Sequence, residues 1–305
     1  MRSLGNTFRQ GLRIALLVAG FAWLQAEAAP VQPTRIEVQG HRGARALRPE
    51  NTLPAFRYAI EAGVDTLELD IQVTKDRQLV ISHDPMISPV LCLAPGGKPV
   101  GDHVLIRQLT LAEVQAYDCG SLKHPRFPRQ VSVPGTFIPS LEQLFAMVAA
   151  SSSSEARRVR FNIETKMVPR YPEQSVMPEE FAKLLVQVIA KHGLSDRVSI
   201  QSFDYRTLTA VHRLAAKIPL IPLIAENFPS WPSLIQATSA AVVSPMMDWL
   251  TVESVAEAHR LHVRVIPWTA NEVADWDWLL AVNIDGIITD DPAALIAYLK
   301  LKGRR

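Results

Sequence analysis

The sequence predicts an α/β fold, a TIM (β/α)8 barrel with a small loop-rich insertion after strand 2. Eight short apolar segments with strand character alternate with amphipathic helical segments between residues 35 and 301. The chain has 305 residues, which is enough for one such barrel and a leader. Polar residues recur where the predicted strands end, and a barrel gathers those ends at one face.

The first predicted unit sets the pattern for the rest. Strand 35–38 runs into Gly40-His-Arg-Gly43, where two glycines permit a sharp turn. Thr52 can cap helix 53–62, and Gly63 can end it. The predicted strands are 35–38, 66–73, 159–164, 198–201, 220–224, 241–244, 263–267 and 286–289. The predicted helices are 53–62, 141–149, 178–192, 205–216, 231–237, 252–262, 271–282 and 293–301.

Alternating strands and helices also fit a doubly wound sheet, so the alternation alone leaves two folds open. The polar residues at strand ends favour the barrel. His41, Asp70, Glu164 with Lys166, Gln201 and Trp268 lie at or just beyond the carboxyl ends of strands one, two, three, four and seven. In a barrel these side chains converge on a single site.

Residues 1–28 are predicted to be a secretory signal peptide. Three arginines precede an apolar run at 14–24, and an Ala-x-Ala site ends at Ala28, where we expect cleavage. The run is short for a membrane span, which needs about 20 apolar residues, although an uncleaved anchor or a buried helix stays an alternative. We therefore expect a periplasmic or secreted protein with no stable membrane anchor after cleavage.

The mature chain, residues 29–305, is predicted to form one domain without net charge. Cleavage removes three arginines and Glu27 from 32 basic and 30 acidic residues, which leaves 29 of each. Nucleic-acid binders concentrate positive charge, so no nucleic-acid partner is expected.

Residues from about 75 to 139 interrupt the alternation. After a return strand at 79–82, this segment is rich in proline and carries one predicted short helix at 111–117. We interpret it as an inserted subdomain that shapes substrate specificity, with a linker between two domains as the alternative. Cys92 and Cys119 are candidates for an intrachain disulfide in an exported protein, and two unpaired thiols are the other reading.

The strand at 66–73 and the third strand carry the acids of the predicted site. Glu68 and Asp70 are two residues apart, so both side chains point to one face of their strand. Glu164 and Lys166 share a face in the same way. Three carboxylates without a thiolate favour one Ca²⁺ or Mg²⁺ ion, although each acid could also be an ordinary surface group.

Basic and imidazole groups complete the predicted chemistry. Arg42 and Lys166 beside a metal suit a phosphate group. His41 and His83 each adjoin a turn near the acidic strand, and two histidines can move protons between attacking and leaving oxygens near neutral pH.

Short motifs along nearly the whole mature chain resemble the glycerophosphodiester phosphodiesterase family. They run in the family's order: His41-Arg-Gly43, Pro49-Glu-Asn-Thr52, Glu68-Leu-Asp70, His83-Asp84, Leu109-Thr-Leu-Ala-Glu113, Ile138-Pro-Ser-Leu-Glu142, Asn162-Ile-Glu164 with Lys166, Gln201-Ser-Phe203, Trp268-Thr-Ala-Asn271 and Asp285-Gly-Ile-Ile-Thr-Asp290.

The resemblance implies metal-dependent hydrolysis of glycerophosphodiesters to sn-glycerol 3-phosphate and an alcohol, on a TIM barrel. By the same resemblance the acid/base pair is His41 and His83, the metal ligands are Glu68, Asp70 and Glu164, and the phosphate contacts are Arg42 and Lys166. Glu50 becomes a supporting group behind the ligands, and Phe203 and Trp268 wall the glycerol side. Alternatively, Glu50 is an ordinary surface carboxylate at a helix start, and the two aromatic residues only pack against their neighbours.

Two other functions stay open. One is a phosphodiesterase of the phospholipase type that acts on lysophospholipids or sphingolipids, for which residues 89–95 of the insertion would supply an apolar rim. The other is a catalytically dead barrel used for binding, which would be expected to have lost one of the five histidines and acids.

Overall fold

A computed structural model of the chain describes residues 35–226 and 230–305. The predicted signal peptide lies outside the described residues and stays a prediction. In the described part, the strands are β1 Glu37–Gly40, β2 Thr66–Val73, β3 Leu79–Ile81, β4 Leu93–Ala94, β5 Lys98–Pro99, β6 Arg160–Thr165, β7 Val198–Ser202, β8 Leu220–Ile224, β9 Val242–Pro245, β10 Arg264–Val265 and β11 Gly286–Thr289. The α-helices described are α1 Leu53–Ala62, α2 Leu111–Val114, α3 Leu141–Ala150, α4 Ser154–Arg158, α5 Pro178–Lys191, α6 Tyr205–Leu214, α7 Trp231–Thr238, α8 Val252–Arg260, α9 Val273–Ala281 and α10 Pro292–Leu301.

Eight parallel strands form the predicted barrel. Neighbours around the ring run in the order β1, β2, β6, β7, β8, β9, β10, and β11 pairs with β1 on the other side. Backbone hydrogen bonds from Asp285 N to Val265 O and from Ile288 N to Pro267 O, both 3.0 Å, link β10 with β11. The ring excludes the doubly wound sheet and confirms the TIM barrel.

Helix α1 shows how local sequence sets the elements around the barrel. The Thr52 hydroxyl accepts from Ala55 N, and Gly63 ends the helix with a left-handed φ of 92°. Its apolar stripe, including Phe56 and Ile60, is buried against the barrel. No helix among the described residues is long and apolar enough to cross a membrane.

The insertion after β2 has a small core of its own. Strand β3 returns antiparallel to β2, β4 pairs with β5, and a capping box at Thr110 starts α2. The buried apolar residues of this cluster are Val80, Ile87, Cys92, Val100, Ile106, Val114, Cys119 and Ile138. Cys92 and Cys119 form a disulfide within it.

Removing this disulfide is expected to lower stability without removing the active site. Cys92→Ala combined with Cys119→Ala reopens a link between residues 27 apart. By loop entropy the free energy of unfolding should fall by about 3 kcal/mol. Thermal unfolding of the oxidised protein and the double variant measures the difference. An unchanged midpoint would show that the cross-link adds nothing to stability.

Several elements differ from the sequence prediction: in the insertion, β4 and β5 were not predicted and α2 is shorter than 111–117, and two differences lie in the barrel. Helix α4, between α3 and β6, was not predicted, and the Ser153 hydroxyl caps it by accepting from Ala156 N at 3.0 Å. Strand β10 is regular only over Arg264–Val265, because Pro267 has no N–H to continue the ladder. Neither difference moves a predicted site residue away from the carboxyl ends of the strands.

Candidate active site

The turn after β1 brings His41 and Arg42 to the mouth of the barrel. A Cβ on Gly40 would lie 2.2 Å from the Gly43 carbonyl oxygen, and Gly43 has a φ of 85° with the Ala55 backbone 2.8 Å from where its Cβ would be. Only glycine fits both positions. The turn points the Arg42 N–H at Glu68, whose Oε2 accepts from it at 2.9 Å.

Three buried carboxylates meet beside this turn. Glu68 and Asp70 project from the same face of β2, as alternation predicts, and Asp70 is the register partner of Glu164 on β6. One ligand oxygen from each of the three lies within 4.8 Å of the others. The structure therefore confirms the prediction that these three acids lie close together.

Burial makes this cluster electrostatically expensive without a cation. Burial raises the pKa of Glu164 to about 7, with Lys166 opposing the rise and Asp70 adding to it. Burial, followed by repulsion from Asp70, also raises the pKa of Glu68 well above its ordinary value. Burial would raise the pKa of Asp70 as well, but Arg42, His83 and Lys166 together outweigh burial and hold the pKa of that carboxyl below its usual range. Two acids of the three thus retain protons more readily than usual.

The predicted phosphate contacts are held by the same acids. Lys166 Nζ lies 2.9 Å from Glu164 Oε1. Arg42 pairs with Glu50 at 2.6 Å, and its Nε lies 3.3 Å from Asp70 Oδ2. Glu50 therefore holds the Arg42 guanidinium in place, while its supporting role in the reaction stays a prediction.

Two amides that sequence reasoning did not assign also hold the carboxylates. Gln201 Nε2 donates to Glu68 Oε1 at 2.7 Å, and Asn51 Nδ2 donates to Asp70 Oδ2 at 2.9 Å. Each amide fixes one oxygen of an acid, so the cluster is oriented before any ligand binds.

His41 is oriented by a residue at the far end of the chain. Its Nδ1 lies 2.6 Å from Asp290 Oδ1, just after β11. Arg45 and Asn271 also donate to Asp290, and although burial opposes it, His41 and then Arg45 keep the pKa of Asp290 below its ordinary range. An ionised Asp290 only accepts, so Nδ1 carries the proton and Nε2 keeps a lone pair, 4.0 Å from Glu68 Oε2. Burial lowers the pKa of His41 to about 4, more than Asp290 raises it.

His83 enters from the loop after β3. Its Nδ1 lies 2.7 Å from Asp84 Oδ1, and its main-chain carbonyl accepts from Gln72 Nε2 at 3.2 Å. The imidazole is about one third exposed, whereas His41 is largely buried. The two histidines thus share one pattern, an Nδ1 held by an aspartate, at different depths.

A cavity of about 190 Å³ collects these groups. Phe203 and Trp268 face each other edge to face at 5.7 Å, and Lys166 Nζ lies 5.8 Å from the Phe203 ring. The residues that line the cavity are His41, Arg42, Arg45, Glu68, Asp70, His83, Arg126, Glu164, Lys166, Gln201, Phe203, Leu223, Trp268, Thr269 and Ile288. Every predicted site residue except Glu50 lines it, while their roles stay predictions.

The donor set fits a hard divalent cation. All three acids offer oxygen, all are buried, and the raised pKa values of Glu68 and Glu164 show that the nearby cations do not satisfy them. Ca²⁺ and Mg²⁺ take such oxygen ligands. Two histidines, three carboxylates that fit a cation and paired basic groups in one cavity suit the hydrolysis of a phosphate ester.

Comparison with known proteins agrees with this chemistry. The model of the glycerophosphoryl diester phosphodiesterase family matches residues 41–294. A glycerophosphodiester phosphodiesterase of Bacillus subtilis is 28% identical over 304 residues, covering 93% of this chain and 96% of its own. Another, from Caldanaerobacter subterraneus, is 27% identical over 267 residues, covering 87% and 98%.

The fold comparison gives the same result. A solved structure from Silicibacter pomeroyi, provisionally assigned as a glycerophosphoryl diester phosphodiesterase, aligns with a TM-score of 0.83 at 28% identity. The alignment covers 89% of this chain and 95% of that one.

Proposed function

The chain belongs to the glycerophosphoryl diester phosphodiesterase family, and from that premise we propose that it hydrolyses glycerophosphodiesters to sn-glycerol 3-phosphate and an alcohol. The observation that carries the proposal is the single cavity in which the acids Glu68, Asp70 and Glu164 lie beside His41 and His83. All five groups that the reaction needs are present, which argues against a dead barrel.

We infer that the three carboxylates hold one Ca²⁺ or Mg²⁺ ion. Such an ion would supply Lewis-acid polarisation of a phosphoryl oxygen. Arg42 and Lys166, beside the acids, would bind the remaining phosphate oxygens. Phe203 and Trp268 would pack against the carbon side of the glycerol, where their rings form one wall of the cavity.

The different surroundings of the two histidines suit them to different proton transfers. His41 is kept neutral by burial and presents a free Nε2, so it can accept a proton from the attacking hydroxyl. His83 is more exposed and can exchange its proton with solvent, so it can protonate the leaving alcohol. Asp290 and Asp84 keep each Nδ1 occupied and each Nε2 available.

Cation binding is expected to release protons in weakly acidic solution. In the metal-free protein the pKa of Glu164 is about 7, so at pH 6 this carboxyl is mostly protonated. A bound cation requires the carboxylates, and the pKa of Glu68 is raised as well, so affinity should rise as the pH increases from 6 to 8. Calorimetric titration of Mg²⁺ or Ca²⁺ at pH 6 and pH 8, in buffers of different ionisation enthalpy, counts the protons. Equal affinity at both values with no protons released would contradict this account.

Export remains part of the proposal. The basic start, the apolar run and the Ala-x-Ala site at 1–28 support a cleaved signal peptide and a periplasmic or secreted location. The disulfide between Cys92 and Cys119 fits an oxidising compartment.

A lysophospholipid substrate is the second candidate, but residues 89–95 do not form the expected apolar rim. Val90 is exposed, while Leu91 and Cys92 pack in the small core of the insertion. Exposed apolar side chains instead follow the barrel strands, at Val168 and Tyr171 after β6 and at Phe203 after β7. These exposed apolar residues are the observation that favours a lipid substrate.

Comparing lysophosphatidylcholine with glycerophosphocholine below the micellar concentration decides between the two substrates. The proposal predicts faster turnover of glycerophosphocholine. Faster turnover of the lysophospholipid would favour the second candidate.

A further inference from the structure

One cation that lines the cavity has no acidic partner. Arg42 pairs with Glu50, Arg45 with Asp290 and Lys166 with Glu164. The fourth cation, Arg126, is exposed, and no carboxylate in the described part of the chain lies within ion-pair distance of it. Its guanidinium lies 5.8 Å from the Phe127 ring, and among the described residues no side chain or carbonyl accepts a hydrogen bond from it.

The loop that carries Arg126 is fastened to the barrel. Gln130 Nε2 donates to Arg45 O at 2.7 Å, and Val131 N donates to Leu47 O at 3.0 Å. Arg129 pairs with Asp291. Arg126 is therefore placed over the cavity by a backbone that is already anchored, which reduces the ordering cost of a contact with a ligand.

The ring order shows which part of a substrate Arg126 faces. Its loop is anchored on residues just after β1 and β11, whereas Phe203 follows β7, half of the ring away from β11. Phe203 thus lies across the cavity from Arg126. Trp268 follows β10, the neighbour of β11, and its ring reaches across to within 5.7 Å of the Phe203 ring. A phosphodiester held by Arg42 and Lys166 would have one arm toward the aromatic pair and the other toward the insertion.

We propose that Arg126 selects glycerophosphodiesters whose alcohol head group carries a second anion, such as another phosphodiester. The inference rests on the proposed function, in which the glycerol that becomes glycerol 3-phosphate packs on Phe203 and Trp268. The head group then extends toward Arg126. The reacting phosphate has its own cations, so the unpaired guanidinium serves a charge farther out.

Two substrates that differ by one phosphodiester test this. Glycerophosphoglycerol has an uncharged head group, and glycerophosphoglycerophosphoglycerol extends that head by a second phosphodiester. At fixed ionic strength the wild type should show about tenfold higher kcat/KM for the longer substrate, as expected for a charged hydrogen bond. The longer substrate has two equivalent phosphodiesters that can be cleaved, which alone would raise its kcat/KM by a factor of about two. The expected preference exceeds that factor. Arg126→Gln should reduce the preference to that factor of about two and leave turnover of glycerophosphoglycerol nearly unchanged.

Lys123→Gln is the matched control, since Lys123 is an exposed cation in the same loop that does not line the cavity. It should keep the wild-type preference. If Arg126→Gln lowered kcat/KM equally for both substrates, Arg126 would contact the reacting phosphate. If it changed kcat/KM for neither substrate, Arg126 would contact no part of either. Both results overturn the inference. If the wild type hydrolysed neither of the two substrates, the proposed function itself would be overturned.

Discussion

His41→Ala is expected to lower kcat by about 10³-fold, within the range for removal of a general acid or base. The His41 imidazole is buried, neutral and locked by Asp290, so water in the vacated space would not reproduce its orientation or its basicity. KM should change much less, because the phosphate contacts are on Arg42 and Lys166. Steady-state kinetics with glycerophosphocholine measures both constants.

Two further variants separate chemistry from structure. His212→Ala changes an exposed histidine on α6 and should leave kcat unchanged. Asp290→Asn should act more mildly than His41→Ala, because the imidazole stays, although an amide that can donate as well as accept no longer fixes its tautomer. If His41→Ala kept kcat within threefold of wild type, His41 would not be the proton acceptor.

Glu164→Gln is expected to abolish cation binding and reduce kcat by about 10³-fold, since a metal ion contributes several kcal/mol to the transition state. The metal-free variant should also unfold at a temperature no lower than the metal-free wild type. The amide removes a buried acid whose pKa is raised by burial and by Asp70, so repulsion in the cluster falls. Loss of activity with unimpaired stability would separate a ligand role from misfolding.

Glu173→Gln is the control for this substitution, because Glu173 is an exposed acid in the loop that follows β6. It should bind Mg²⁺ or Ca²⁺ as the wild type does. Calorimetric titration of stripped protein checks both variants, and wild-type cation affinity in Glu164→Gln would refute the proposed ligand set.

Much of the barrel and the centre of the site could be predicted because their signals are local. The two-residue spacing of Glu68 and Asp70 in an apolar strand fixes their common face, and the glycines at 40 and 43 fix the turn beside them. To predict that Glu164 joins them, one further inference was needed, namely that the carboxyl ends of neighbouring parallel strands lie at the same face of the barrel.

Other parts of the site depend on contacts between distant residues, which no local pattern reveals. Asp290 lies 249 residues from His41, and Gln201 lies 133 residues from Glu68. The position of Asp290 directly after the last strand is the one local signal that could have suggested it. The two-residue strands β4 and β5, with glycines and a proline around them, carry no usable periodicity.

Product analysis tests the central proposal most directly. Purified protein, stripped of metal and then given Mg²⁺ or Ca²⁺, is incubated with glycerophosphocholine, and the products are separated and identified. The account predicts sn-glycerol 3-phosphate and choline in equal amounts, formed only after a cation is added back. Release of phosphocholine and glycerol, or the same turnover in the stripped protein, would contradict it.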